Sequence, residues 1–581
     1  MGRTAPNPTP SDASQNTAGG SNALSINTGS VNTAFGFDAL QFNTSNHGNT
    51  ATGSFALNFN GGDYNTASGY SALSANGSGQ ANTATGANAL EANTRGNANT
   101  ASGLQALGSN TTGSNNAAAG TQALYGNITG SGNTADGYQA MFTNISGNAN
   151  AASGFMALYS NTTGGANTAS GAYALYSNTT GAFNTGGGYQ ALFSNVGGTS
   201  DTATGFQALL SNTTGSNNTA VGSVALYNNI SGNADTGTGF QALSNNTSGA
   251  NNTATGSQAL YGNTSGSSET ADGASALAHN TNGANNTAIG ASALNRNTTG
   301  FSNTAIGVDA LFANTSGNSN NASGFSALFN NTVGARNSAA GFEALAGNTS
   351  GSNNLAIGYN AGTSVTTGSN NVEIGSPGVA GDTNTIRLGA PDAQTATYIA
   401  GISNAAVTGA DVVVAANGRL GVMTSSVRYK HDIRDMGEAS SNLLKLRPVT
   451  FRYNNDPSGI VQYGLVAEEV AKIYPELVTY GPDGKIQTVR CLTLSAMLLN
   501  EMGKQSAALR NQNSRNDQQS EQIARQARQI ESLTAKLAQV EASTQRKLGM
   551  QQAVFEQRLS LLEHAMATRE GGNNLAAAFK R

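Results

Sequence analysis

Over the first two-thirds of the chain the dependable apolar positions come as one short pattern at one interval. An Ala-Leu pair recurs, with Leu40, Leu57, Leu73, Leu90 and Leu107 in phase, and polar residues fill most of the space between. Each pair follows an Asn-Thr-Ala triplet and precedes an Asn-Thr-Thr-Gly segment or a close variant. The triplet stands at Asn32, Asn49, Asn65, Asn82, Asn99, Asn116 and Asn133 and continues every 17 residues to Asn354, with a last variant at Asn371. Counted from Asn16 there are 22 units, and only the steps 16 to 32 and 49 to 65 are one residue short. Residues 252–268 give a clean example, Asn-Thr-Ala-Thr-Gly-Ser-Gln-Ala-Leu-Tyr-Gly-Asn-Thr-Ser-Gly-Ser-Ser.

A period this strict means stacked, equivalent units. The unit is too short for two helices and a turn, and its two glycines and Asn-Thr-Thr-Gly turn signal break helices. Short β segments joined by turns are expected instead. Equivalent residues then stack at ~4.8 Å, and 22 such steps span on the order of 100 Å. Stacked Asn and Thr side chains are expected to form hydrogen-bond ladders. The Ala-Leu pair supplies the core, and glycine supplies positions of positive φ. A disordered polar linker, the competing reading, has no need of a fixed register. Because each unit offers about three dependable apolar side chains, two of them alanine, a homo-oligomer is expected, a trimer in the first instance.

After Asn371 the register dissolves. Three β-like pieces follow, at 371–375, 385–389 and 397–402, and then a strand at 411–416 that ends at an Asn417-Gly418 turn and returns through Arg419–Met423. From Ser425 onward helical and strand periodicities appear with Pro448 and Pro475 as punctuation. In the tail, Ile523, Ile530 and Leu537 are seven apart, as are Leu533 and Val540, with Val554 and Leu561 continuing their frame. This is an a/d seam, interrupted at Thr544, Lys547, Gln551 and Arg558.

Composition sharpens the division. The 581 residues include 74 Gly and no Trp, and only 10% are charged. Residues 1–424 carry 6 basic and 15 acidic groups, a net of −9, whereas 425–581 carry 21 and 16, a net of +5. Every lysine lies at or after Lys430. Both signs are interspersed in the C-terminal part, which reads as a solvated helical surface rather than a nucleic-acid footprint. Cys491 is the only cysteine, so no intrachain disulfide forms, and a small buried hydrophobe is its expected role. Met1-Gly2-Arg3-Thr4 leads into polar, Pro-containing sequence without a secretion signal, and no apolar run approaches the ~18–20 residues of a membrane span. No cofactor or metal set is apparent.

The repeats resemble the β-roll heads of trimeric autotransporter adhesins. The C-terminal succession Ser425-Ser-Val-Arg-Tyr-Lys430-His-Asp-Ile433, Leu443-Leu-Lys-Leu-Arg-Pro-Val-Thr-Phe451, Tyr463-Gly-Leu-Val-Ala-Glu-Glu-Val470 and Tyr474-Pro-Glu476 closely resembles the endosialidase-type intramolecular chaperone family. Those domains end phage tailspikes and tail fibres. The resemblance implies a Ser-Lys dyad that cuts the chain just before the serine. The matching positions are Ser425 and Lys430, and the implied scissile bond is Thr424–Ser425.

That chemistry is sensible in itself. A serine hydroxyl needs a base, and lysine serves as one once burial lowers its pKa from ~10.4 toward neutrality. Burial at a trimer interface would make cleavage depend on assembly. Spacing by itself proves little, because Ser440 and Lys445 also stand five apart, at the head of an apolar stretch where Lys445 is expected to be solvated. His431 is an alternative base beside Lys430; the other histidines, His47, His279 and His564, form no triad pattern. Glu468 and Glu469 are neighbours on a helix face rather than the facing carboxylates of a glycosidase.

The expected architecture is therefore mostly β. A flexible N-terminus (1–15) precedes a trimeric β-roll or β-solenoid fibre of 17-residue repeats (16–371) and a β-rich neck (372–424). A self-cleaving α+β chaperone domain (425–510) and a helical coiled-coil tail (511–581) complete it. The expected role is a virion tail fibre that binds a cell-surface receptor, with polysaccharide among its candidate classes and with no nucleic acid and no membrane as partners. A bacterial trimeric adhesin on the cell surface is the first alternative and a fibre-borne glycan-degrading enzyme the second. Ice binding by stacked Thr rows is a remote third.

Overall fold

The computed structural model describes residues 13–390, 393–394, 396–400, 411–415, 417–422, 424–481, 483–512 and 518–577, and for 510–512, 518–525 and 561–577 the helical backbone alone. The chain divides into two compact units, Met1–Thr397 and Tyr398–Arg581.

In the first unit each repeat makes one turn of a β-solenoid. The Asn-Thr-Ala triplet opens a three-residue strand, as at Thr83–Thr85. Strands from successive coils pair in parallel and in register, Thr83 with Thr100 and Ala84 with Ala101. The two short steps are absorbed without loss of register, Thr17 pairing with Thr33 and Thr50 with Thr66. The turns between strands also bond from coil to coil: the Leu90 amide donates to the Ala106 carbonyl (3.0 Å) and the Ala98 amide to the Gln80 carbonyl (2.9 Å). Backbone pairing therefore runs around the coil rather than along one sheet.

The centre of each strand and the Ala-Leu pair point inward. Ala84, Ala89 and Leu90 are fully buried, as are their equivalents in nearly every coil. A single chain thus closes its own thin core. The residue that fills most of that core does so at a cost. Leu90 and Leu107 hold φ near +50°, a conformation worth roughly 1–2 kcal/mol against an L-residue. Burying a leucine yields about 1.5–3 kcal/mol. Two further side chains per coil, such as Ala98 and Gln105, are also left-handed. One coil cannot stand alone on these terms; it holds because its neighbours supply the rest.

Two glycines per unit are required by the stacking distance. Gly103 has φ +138°, and a Cβ there would sit 2.4 Å from the Gly120 carbonyl of the next coil. A Cβ on Gly96 would meet the Gly113 carbonyl at 2.2 Å and Asn93 Oδ1 at 2.5 Å.

The polar interior consists of two asparagine columns. In the first, Asn82 Oδ1 accepts from the Asn99 backbone amide (2.9 Å), and Asn99 Nδ2 donates to the Gly113 carbonyl (2.9 Å). In the second, Asn110 Nδ2 donates to Asn93 Oδ1 (2.8 Å) and to the Gly113 carbonyl (3.0 Å). All are buried. The expected asparagine ladders exist, but threonine behaves differently. The strand threonines mostly face outward, and the Asn-Thr-Thr-Gly threonine bonds backbone, Thr94 Oγ1 donating to the Thr111 carbonyl (2.9 Å). A hydroxyl that reaches a neighbouring carbonyl has no need of another hydroxyl.

The stack ends with Val372–Ile374 and Ile386–Leu388. Glu373 takes the core position held by Ala356 one coil earlier and is fully buried. Burial pushes its pKa up to about 7. Asp382 and Arg387 close this end with a two-point ion pair at 2.6 Å. Of the neck strands expected from sequence, the piece at 397–402 forms none over 397–400, and its last two residues lie outside the described residues.

In the second unit Val412–Val414 and Leu420–Val422 form an antiparallel hairpin across Asn417-Gly418. The α+β part packs a small core of Leu443, Val470, Tyr474, Leu477, Val478 and Met497. Two short antiparallel pairs flank it, Val449–Phe451 with Gln462–Gly464 and Val478–Tyr480 with Ile486–Val489. The helices Cys491–Gln512 and Gln518–Ala577 follow. The seam residues Ile530, Leu533, Leu537, Val540 and Val554 lie exposed; the side chains of Ile523 and Leu561 lie outside the described residues. Cys491 is free and exposed, contrary to the expectation of burial. It opens its helix, and Met497 supplies that helix's buried contact instead.

Candidate functional site

The segment that follows the hairpin contains a single tight turn. Ser426 (φ −65°, ψ 144°) enters a 3₁₀ turn over Val427–Tyr429, and Lys430 leaves it extended. The Tyr429 amide donates to the Ser426 carbonyl and the Lys430 amide to that of Val427, each at 3.1 Å. One turn of this kind folds the chain back on itself, which brings together side chains five residues apart. Lys430 Nζ lies 3.0 Å from Ser425 Oγ and donates to it. Both side chains are exposed. Arg428 lies over the Tyr429 ring, 4.9 Å from its centroid.

The competing candidates are engaged elsewhere. His431 Nδ1 contacts Asp432 Oδ2 at 3.0 Å, with its side chain 94% exposed. Ser440 is fully buried, donates to Glu501 Oε1 (2.6 Å) and accepts from Asn500 Nδ2 (2.6 Å). It ties the turn at Gly437–Ser440 to the helix Cys491–Gln512, while Lys445 is exposed. Glu469, on the short helix Ala467–Ala471, is held by Arg447 through Nε (3.0 Å) and Nη2 (2.5 Å). That partner holds the Glu469 carboxyl below its ordinary range. A carboxylate so paired is a poor general acid, and Glu468 does not face it.

No helix among the described residues is long and apolar enough to cross a membrane. Nor do the described residues gather three or more His, Cys, Asp or Glu in a metal-holding group.

Sequence reasoning missed three buried acids in the asparagine column. Asp201, Asp235 and Glu269 occupy alternate coils where Asn is the rule, and each is at most 1% exposed. Burial pushes Asp201 and Asp235 up to about 7 and Glu269 up to about 8. The signal was present as a break in the triplet, at 201, 235 and 269.

The molecule is thus a repetitive β-solenoid joined to a small α+β unit that opens on an adjacent serine and lysine. Residues 425–479 match the family described as chaperone of endosialidase, and the match begins at Ser425 itself. That family is, in general terms, one of self-cleaving peptidases. No curated protein and no solved structure matches the chain at a significant level.

Proposed function

We propose that the chain is a phage-type tail fibre, or a related trimeric surface fibre, whose C-terminal unit directs assembly and is then released by cleavage at Thr424–Ser425. The observation that carries this reading is the 3.0 Å contact between Lys430 Nζ and Ser425 Oγ at the first residue of the family match. In the single chain Lys430 Nζ donates to the hydroxyl. Catalysis reverses that bond: a neutral amine accepts the Ser425 proton. The freed oxygen adds to the Thr424 carbonyl carbon, the Thr424–Ser425 C–N bond breaks, and the Ser425 nitrogen takes up a proton from the lysine. Water then hydrolyses the resulting ester to a Thr424 carboxylate and a free Ser425 amino terminus.

Desolvation is one way to make a lysine neutral at ordinary pH. In the single chain both side chains are open to solvent, so the surface that covers them belongs to the assembled state. The exposed seam of the long helix supplies the means to assemble. Cleavage then follows trimerisation and removes the template once the solenoid has wound, leaving a kinetically stable fibre. The repeats are left to bind a receptor on a host surface.

Expressed protein should yield two fragments, the smaller beginning Ser425-Ser426-Val427. Ser425→Ala and Lys430→Met should each leave the chain whole, with helix content and oligomeric state retained. Continued cutting in Ser425→Ala, or a different new amino terminus, would remove the dyad. A chain truncated at Thr424 that still forms stable fibres would remove the templating role.

A further inference from the structure

Two outward positions of the repeat carry aromatic side chains in many coils, and they are densest from Tyr125 to Phe206. Directly after the core leucine, or Met141 in one coil, stand Tyr125, Phe142, Tyr159, Tyr176 and Phe193 in five successive coils. Their rings are 5.3, 5.2, 5.2 and 5.1 Å apart and parallel within 14°. That spacing exceeds the 3.5–4.0 Å of close carbon contact, so the rings overlap as slipped shingles and part of each is left uncovered. Directly after the strand glycine stand Tyr138, Phe155, Tyr189 and Phe206, between 43% and 50% exposed. Tyr173 bridges the two columns, with ring centroids 5.3 Å from Phe155 and 5.8 Å from Tyr176. The row between them also holds amide pairs, Gln139 Nε2 donating to Gln122 Oε1 and Gln207 Nε2 to Gln190 Oε1, each at 2.8 Å.

We infer that this face, from Tyr125 to Phe206, is a binding site for a neutral linear polysaccharide; the inference rests on the receptor-binding reading of the repeats and names the ligand's class. Charge decides against an anionic ligand. Between Arg95 and Asp201 the only charged residue is Asp136, an acid, so nothing there attracts phosphate, sialate or uronate. Aromatic rings beside amides and tyrosine hydroxyls match a pyranose, which presents an apolar ring face and a rim of hydroxyls. The period suits a repeating ligand too, because the rings recur at 5.1–5.3 Å and so offer successive sugars of a linear chain successive equivalent platforms.

A second copy of the chain is the competing occupant, and the repeat argues against it. A lengthwise interface between parallel copies would recur in every coil, as the core does. Here the position after the core leucine carries Ser74, Glu91 and Gly108 before the patch, and after it changes from coil to coil through Leu210, Tyr227, Ser244, Tyr261, Ala278 and Asn295. A second ring face, Phe312 and Phe329 beside Phe325, Phe342 and Tyr359, differs in kind because it is charged: Arg296 lies over Phe312, and Asp309, Arg336 and Glu343 stand in the same coils.

The test uses the full chain carrying Tyr159→Ser and Tyr176→Ser, substitutions the solenoid already tolerates at Ser74 and Ser244. A control carries Phe312→Ser and Phe329→Ser. Wild type and both variants are applied to an array of neutral and anionic glycans, and affinities for the hits are read from tyrosine fluorescence, since the chain has no tryptophan. Binding to a neutral linear glycan is expected, weakened about tenfold or more in the Tyr159/Tyr176 variant and unchanged in the control. Binding to no neutral glycan, preference for an anionic one, or equal affinity in the Tyr159/Tyr176 variant would overturn the assignment. So would an altered sedimentation mass in that variant, which would mark the face as an interface between copies. Adsorption to host cells separates the two readings: if the variant adsorbs like wild type, the patch fails while receptor binding stands, and if wild type adsorbs to no cell, receptor binding itself fails.

Discussion

Replacing Asp201, Asp235 and Glu269 together by asparagine should make the middle of the solenoid insensitive to pH. An asparagine in this column does two things. Its Oδ1 accepts from the backbone amide one coil on, and its Nδ2 donates to a glycine carbonyl, as Asn218 Nδ2 does to Gly232 (3.0 Å). Asp201 keeps the first task, Oδ1 accepting from the Asn218 amide at 2.8 Å, and Asp235 does the same with Asn252. Glu269 Oε2 accepts from the Asn286 amide at 3.1 Å. The second oxygen of each acid accepts instead, from Asn212 Nδ2 at Asp201, Asn246 Nδ2 at Asp235 and Asn286 Nδ2 at Glu269, each at 3.1 Å; donating to a glycine carbonyl as asparagine does would need the proton of the neutral acid. Burial is the largest cause of the raised pKa at all three sites, and the hydrogen bonds from the facing asparagines offset it only in part.

The sign follows from linkage. Unfolded, these acids titrate near 4; folded, they hold their protons to about 7 or 8. Below pH 4 both states are protonated and there is no penalty. As pH rises from about 4 to 8 the folded state binds more protons than the unfolded one, so stability falls, and above about 8 the loss is complete. Raising an aspartate from 3.8 to about 7 corresponds to a ceiling of about 4 kcal/mol at that site. Coils touch only their neighbours, so the loss should be local. Hydrogen exchange, corrected for intrinsic rates, should show peptides from 184–286 opening more readily at pH 9 than at pH 5 in wild type. Peptides from 82–150, where the column is unbroken asparagine, should not change. The triple variant should abolish the difference. If wild type and variant share one pH profile, these acids are not buried in a column that needs their protons.

Three further outcomes follow from the packing. Gly103→Ala places a Cβ 2.4 Å from a backbone carbonyl at φ +138°; it should cost more than ~1 kcal/mol and open the stack locally, seen as a protease cut near that coil. Leu107→Ala should cost about 2–5 kcal/mol, read as a lowered apparent melting temperature at a fixed scan rate. Ser440→Ala strips a buried hydroxyl from Glu501 and Asn500 and should destabilise the C-terminal unit by about 1–3 kcal/mol while still permitting the cut before Ser425. Loss of cutting with the unit folded would return Ser440 to candidacy.

The difference between what was legible in the residues and what was not comes down to periodicity against context. The period alone predicted stacked coils, buried Ala-Leu pairs and strand-end glycines, because those depend only on a residue's place in its unit. It could not predict that Leu107 sits at positive φ, since propensity assigns that region to glycine and asparagine. The leucine is there because a coil this tight must turn inward where its one large apolar side chain is needed. Nor does spacing decide between serine–lysine pairs. Ser425 and Lys430 meet because one 3₁₀ turn separates them, whereas Ser440 faces a helix sixty residues on. Cys491 shows the same limit: its residue type suggested burial, and its position at a helix start placed it outside. The repeat's exceptions therefore carry most of its specific information. Where every coil repeats, a departure such as Asp201 in the asparagine column or the rings from Tyr125 to Phe206 is a difference the fold itself did not require.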